Sequence, residues 1–161
     1  MIDWYLKVVR DNYANFSGRA RRSEYWYYAL CGAIIGMVLK GVDYAIGLEV
    51  NIVGTLYSLA VFIPGLAVAV RRLHDIGKSG WYFLIIMLPI ILGSVMLGVS
   101  ILDTTPGFTV LRLVSILLFL GGGIWMIVVL CKEGDAGSNE YGEDPKRPDD
   151  FLNEIGSKEA Y

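Results

Sequence analysis

The sequence has little charge for its length and few residues of the types that bind metals. Only 19% of its 161 residues are charged, whereas about a quarter is usual in soluble globular proteins. It contains one histidine, His74, and two cysteines, Cys31 and Cys131. This set cannot form a disulfide scaffold, and it lacks the ligand spacing of a zinc site. We therefore expect no metal and no cofactor.

Apolar residues are abundant and fall into long runs. They make up 55% of the chain, and the mean hydropathy is +0.51. Because a helix needs about 20 apolar residues to cross a bilayer, we predict an all-α membrane protein with four transmembrane helices in a single domain over residues 1–146. Residues 147–161 form a charged segment that we expect to be a flexible tail. The predicted spans are about 25–46, 51–70, 81–102 and 111–131.

Lysine and arginine are concentrated on one side of these spans. Only Lys40 and Arg112 fall on the other side. Because positively charged flanks are retained in the cytoplasm, we expect both termini and the loop between spans two and three to be cytoplasmic. The cations on that side are Lys7, Arg10, Arg19, Arg21, Arg22, Arg71, Arg72, Lys78, Lys132, Lys146, Arg147 and Lys158.

The N-terminal segment predicts a short amphipathic helix lying at the cytoplasmic membrane surface. Its apolar residues recur at helical spacing, with charged residues on the opposite face. Asp3 is the expected N-cap, and Lys7 is spaced to pair with Asp3 and Asp11. The alternative is an arm that docks onto a partner. The apolar residues are Ile2, Tyr5, Leu6, Val9 and Tyr13.

Three polar segments, residues 16–26, 71–81 and 133–145, are predicted to share the cytoplasmic side. In this order, attached to four hydrophobic spans, they resemble the bacterial inner-membrane family of unknown function numbered 805. The middle segment carries most of the resemblance, which covers roughly residues 14–146. It implies a small protein of the bacterial inner membrane, and it implies no activity. The third segment also contributes, through Asn139, Tyr141, Gly142, Asp144 and Pro145, which are typical of a turn.

The middle segment predicts an anion site at the start of span three. We expect the second helix to continue past Val70 and to end at Gly77 in the left-handed conformation. Ser79 would then cap span three, whose free N–H groups attract a phosphate of a lipid head group or of a soluble ligand. The alternative is that these cations act only as topology signals. The predicted anion-site residues are Arg71, Arg72, His74, Asp75, Lys78 and Ser79.

The first and third segments predict a second grouping. We expect the arginines before span one to dock onto the acidic tail, and Asp75 to pair with Arg71 or Arg72. Together these contacts would gather the three segments into one cluster, which we call the motif cluster. Besides the anion-site residues, its predicted members are Arg19, Arg21, Arg22, Glu24, Trp26, Asn139, Tyr141 and Asp144.

Three functions remain open from the sequence. The favoured one is a non-enzymatic membrane module whose cytoplasmic motifs bind an anionic lipid, a ligand or a protein partner, including a second copy of the chain. The first alternative is a small transporter or pore subunit that uses Lys40 and Asp43. The second is an enzyme that modifies lipid head groups with His74 and Asp75. No nucleic-acid partner is expected.

Overall fold

The computed structural model describes residues 1–47, 50–102 and 107–146, and within them the chain is helical. Four of the helices are long and apolar enough to cross a membrane. The predicted all-α fold with four spans is therefore confirmed. The predicted tail, residues 147–161, lies outside the described residues. The helices are α1 (Ile2–Leu6), continued by a π-helical turn (Lys7–Asp11), α2 (Arg22–Ala45), α3 (Ile52–Asp75), α4 (Tyr82–Ile101) and α5 (Gly107–Cys131).

The helices divide into two compact units. The first contains α1, α2, α3 and the segment that begins at Glu133; the second, Lys78–Lys132, contains α4 and α5. The prediction of a single domain over residues 1–146 stays a prediction.

Helix α3 continues one turn beyond its apolar run, as predicted. It ends at Asp75, and Gly77 follows with a φ of +67° while its N–H donates to the His74 carbonyl at 3.1 Å. The prediction that Ser79 caps α4 is wrong, because α4 begins after Trp81 without a side-chain cap. The Ser79 carbonyl instead accepts the Tyr82 N–H at 3.0 Å, in a backbone turn that leads into the helix.

The N-terminal helix runs antiparallel to the first half of α2. Lys7 contacts Glu24, while Tyr5 stacks on Tyr28 with ring centroids 5.7 Å apart. Val8 is fully buried beside Tyr28 in the core of this unit. A helix is present here as predicted, and its position at the membrane surface stays a prediction. The predicted cap and pairs are wrong. In the described residues Asp3 makes no side-chain cap, and Asp11 pairs with the adjacent Arg10. Lys7 pairs with Glu24 of α2, a tertiary contact that replaces pairing along one short helix.

In each helix hairpin, a charged side chain of one helix contacts the end of the other helix that carries the opposite partial charge. The carboxylate of Asp43 accepts the backbone N–H groups of Val53 and Gly54 at 3.2 and 3.0 Å, at the N-terminus of α3. In the second unit, the Arg112 guanidinium donates twice to the Ser100 carbonyl near the C-terminus of α4, at 3.0 and 2.7 Å. An anion at the N-terminus and a cation at the C-terminus both oppose the helix dipole. No ion pair joins Asp43 to Lys40 within the described residues.

Candidate functional site

The last turn of α3 carries a buried carboxylate held by two arginines. Asp75 accepts Arg19 Nε at 2.9 Å on one oxygen and Arg72 Nη1 on the other. Arg72 has no exposed surface, and Arg19 and Asp75 are buried as well. The pairing of Asp75 with Arg72, three residues earlier on the helix, confirms that prediction. Buried ions need such partners, because removing one partner of a buried pair costs about 3–5 kcal/mol.

A second buried carboxylate, Glu24, lies in the first turn of α2. It accepts Arg71 Nη1 at 2.6 Å and Lys7 Nζ at 2.9 Å. Lys7 is 46% exposed, whereas the side chains of Glu24 and Arg71 are almost fully buried. The other edge of the Arg71 guanidinium, formed by Nε and Nη2, is buried and has no hydrogen-bond partner among the described residues.

Arg19 ties the segment after Glu133 to the end of α3. Its guanidinium donates to the carbonyls of Asp135 and Gly137 at 2.5 and 2.6 Å, while the Asp135 N–H donates to the Asp75 carbonyl at 2.7 Å. The predicted docking of arginines onto the tail therefore occurs, but Arg19 binds backbone carbonyls there instead of carboxylates. The same holds for Arg21, which donates to the Pro145 carbonyl.

The remaining tail contacts are at the surface. Glu133 pairs with Arg22 at 3.1 Å and with Lys146 at 2.9 Å. The hydrogen bond from Lys146 and the nearby Arg22 charge hold the pKa of Glu133 below its usual value. The two ion pairs of Glu133 therefore stabilise the fold at a pH above the ordinary pKa of a carboxyl group. This stabilisation is lost as the pH falls through the lowered pKa of Glu133. Since Glu133 is exposed, we expect this effect to be small.

His74 lies between the first and third segments. Its Nδ1 is 3.1 Å from the Gly18 carbonyl, and its ring stacks on Tyr141 with centroids 3.9 Å apart. Asn139 Nδ2 donates to the His74 carbonyl at 2.9 Å, and Asn139 forms a tight turn with Gly142. The turn prediction is confirmed.

Most of the predicted site residues come together in the first unit, where they form the motif cluster. Lys78 and Ser79 belong to the second unit. Trp26 packs edge-on against Tyr25 with ring centroids 5.3 Å apart, and the Asp144 carboxylate accepts the Lys146 N–H at 2.8 Å. Sequence reasoning missed Lys7 as the partner of Glu24, and no pattern in the sequence links the two. The members in contact through the bonds described above are Arg19, Arg21, Arg22, Glu24, Arg71, Arg72, His74, Asp75, Asn139 and Tyr141.

The cluster contains a polar cleft of about 300 Å³ beside Arg19, Asp75 and Asp135. In the described part of the chain, no group of three or more histidine, cysteine, aspartate or glutamate side chains is placed to hold a metal ion. The acidic side chains here contact arginine, lysine and backbone groups instead.

Four apolar helices with a cluster of buried ion pairs at the end of one of them define a helical, multi-span membrane protein. The family model for proteins of unknown function DUF805 matches residues 13–143, and the chain belongs to that family. Its members include inner-membrane proteins, so the chain is an integral inner-membrane protein of unknown function.

Two relatives from Escherichia coli K12 extend over almost the whole chain. The inner membrane protein YhaI is 38% identical over 145 residues, which are 90% of this chain and 97% of YhaI. The inner membrane protein YhaH is 34% identical over 151 residues, which are 90% of this chain and 98% of YhaH. The comparison with solved structures found no match.

Proposed function

We propose that the protein is a non-enzymatic module of the bacterial inner membrane, with both termini in the cytoplasm, and that its motif cluster binds the phosphate group of an anionic lipid. The observation that carries this proposal is the free edge of Arg71. Its Nε and Nη2 are buried, and no acceptor binds them in the part of the chain that the structure describes. These two donors form the fork with which arginine binds phosphate or carboxylate in a bidentate manner.

The balance of charge in the cluster also favours an anion. Its buried ions in the described residues are three arginines, Arg19, Arg71 and Arg72, and two carboxylates, Glu24 and Asp75, an excess of one positive charge. Solvent and salt screen charges at the surface, but they screen a buried excess of positive charge only weakly. A donor left without a partner costs about 1–3 kcal/mol, which an acceptor arriving from a ligand recovers.

We infer that an anion approaches Arg71 from the side of Lys7. It contacts the same carboxylate as Arg71 and is the only half-exposed member of that trio. When Lys7 swings outward, its ammonium group and the Arg71 fork can bind one phosphate from two sides. Glu24 keeps its bond to Arg71 Nη1 in this arrangement.

The two alternative functions have less support. The transporter hypothesis needs Asp43 in a transport pathway with Lys40, yet both oxygens of Asp43 accept N–H groups of α3. The enzyme hypothesis needs a base near Asp75. Adjacent residues on a helix do not face each other, and Asp75 is engaged by two arginines while His74 contacts Gly18 and Tyr141.

The test is native mass spectrometry of the gently extracted protein, with Arg71→Lys as the decisive variant. Lysine keeps the charge beside Glu24 but lacks the fork. We expect the wild type to retain a discrete anionic phospholipid and Arg71→Lys to bind it at least about tenfold more weakly, since a charge-assisted contact contributes about 1.5–3 kcal/mol.

The matched control is Arg10→Lys, because Arg10 is exposed and its ion pair with the adjacent Asp11 lies at the surface. It should retain lipid like the wild type. Equal lipid binding by Arg71→Lys and the wild type, or equal losses in Arg71→Lys and Arg10→Lys, would overturn the proposal. Thermal unfolding in detergent verifies that each variant is folded.

A further inference from the structure

An apolar groove lies between the N-terminal helix and α2. Its volume is about 470 Å³, and it is lined by Ile2, Tyr5, Leu6, Cys31, Ile34 and Ile35. We propose that this groove holds one acyl chain of the phospholipid whose phosphate binds Arg71. The inference rests on the proposed function and extends it: the ligand is a two-part molecule, with an anionic head and an aliphatic chain.

The groove and the phosphate site follow one face of α2. Glu24, Tyr28, Cys31 and Ile35 are spaced by three or four residues, so they lie above one another on that face. At a rise of 1.5 Å per residue, Cys31 is about 10 Å and Ile35 about 16 Å along the helix from Glu24. Half of a bilayer's hydrocarbon core is about 15 Å thick, so the far end of the groove lies about one leaflet's depth from Glu24.

The two ends of the groove differ in chemistry: one end is cationic and the other is apolar. Lys7 follows Leu6 directly and contacts Glu24, so the cationic end of the groove is the end near Arg71. Met1, Ile2 and Ile35 line the groove away from that end, and the surface that they present to it is apolar. This arrangement of charge favours an amphiphile with a negative head over an uncharged hydrophobic ligand or an apolar helix.

An acyl chain in the groove is favoured by the apolar surface that it covers and by the packing contacts that it makes. The side chains of Ile2 and Leu6 are well exposed on this surface. A chain seated in the groove covers them and packs against Cys31 and Ile34 from the other side. Each methylene group in close contact adds dispersion attraction that a loosely packed lipid does not provide.

The experiment compares two phosphatidylglycerols in native mass spectrometry, one with dioleoyl chains and one with dihexanoyl chains. Ile35→Trp fills the groove without touching the cationic end. We expect it to bind the dioleoyl lipid at least about tenfold more weakly than the wild type and the dihexanoyl lipid equally well. The matched control is Met37→Trp, because Met37 is 70% exposed on the same helix and does not line the groove.

The outcomes separate this inference from the proposed function. Wild-type affinity of Ile35→Trp for the dioleoyl lipid, with weak binding by Arg71→Lys, would overturn the groove and leave the phosphate site standing. We expect Arg71→Lys to bind both lipids weakly. If Arg71→Lys binds them as the wild type does, the phosphate site and the groove are both overturned. A dimer mass in place of a lipid adduct, lost in Ile35→Trp, would assign the groove to a second copy and overturn the inference.

If Ile35→Trp does not fold, Cys31 supplies a second test with the groove intact. In Cys131→Ser, Cys31 is the only remaining thiol. Dioleoyl phosphatidylglycerol should slow the reaction of Cys31 with N-ethylmaleimide at least about fivefold, whereas dihexanoyl phosphatidylglycerol and glycerol 3-phosphate should not. Equal reaction rates with all three additives would overturn the inference.

Discussion

At the residue scale, two glycines allow the segment after α5 to reach α3. A β-carbon at Gly134 would overlap the Asp75 carboxylate, and one at Gly77 would come within 2.7 Å of Asp135 Oδ2. Gly77 also has a positive φ, which a larger side chain rarely adopts. Arg19 can bridge Asp75 to the carbonyl of Asp135 only because the two backbones approach this closely.

Gly134→Ala should therefore weaken the docking of this segment. Overpacking a close contact costs about 1–3 kcal/mol, so we expect tryptic cleavage after Lys132 to become at least about fivefold faster in detergent. Gly41→Ala is the control, because nothing lies within 4 Å of its added β-carbon. A wild-type cleavage rate for Gly134→Ala would contradict the requirement for glycine at this position.

At the element scale, one charged side chain connects the two helices of each hairpin. Asp43 satisfies two N–H groups that the first turn of α3 would otherwise leave free, and Arg112 does the same for a carbonyl near the end of α4. The two charges suit the opposite ends of a helix dipole. These contacts give the intramembrane charges a structural role within each hairpin.

Asp43→Ala should lower the free energy of unfolding by about 1–2 kcal/mol, the usual contribution of an N-terminal cap. Asn keeps one acceptor oxygen but loses the charge, so Asp43→Asn should fall between Asp43→Ala and the wild type. Lys40→Gln should leave stability unchanged. Unfolding monitored by circular dichroism in detergent measures all three, and an equal loss in Lys40→Gln would show that Lys40 and Asp43 act as a pair.

At the scale of the whole molecule, the motif cluster concentrates polar contacts at one end of α3. The other end of α3 meets Asp43 in a short hairpin. The excess of lysine and arginine near the cluster predicts that this end faces the cytoplasm.

Cysteine labelling of intact cells tests this orientation. With Cys31 and Cys131 replaced by serine, Val50→Cys should react with a membrane-impermeant maleimide added outside, because Val50 is exposed in the hairpin between α2 and α3. Ser79→Cys should react only after permeabilisation. The reverse pattern would place the motif cluster on the outer side and contradict the proposed orientation.

Local rules in the sequence were enough to predict several features correctly. Four apolar runs gave four helices whose bounds differ from the predicted ones by a few residues, and Gly77 marked the end of α3. Spacing also predicted that Asp75 pairs with Arg71 or Arg72, since residues three or four apart on a helix are neighbours, and the structure shows the pair with Arg72. Each of these depends only on residues within a turn or two of one another.

Tertiary structure decided the partners of the remaining charges. Lys7 and Arg71 meet at Glu24 because α1 and α3 both pack beside α2, and Arg19 binds the backbone of Asp135 far along the chain. A backbone carbonyl carries no sequence signal, and a long-range ion pair depends on how helices pack. The sequence by itself therefore determined the spans and their local ends, whereas the assembly of the buried cluster, and the free edge of Arg71 within it, were decided by packing.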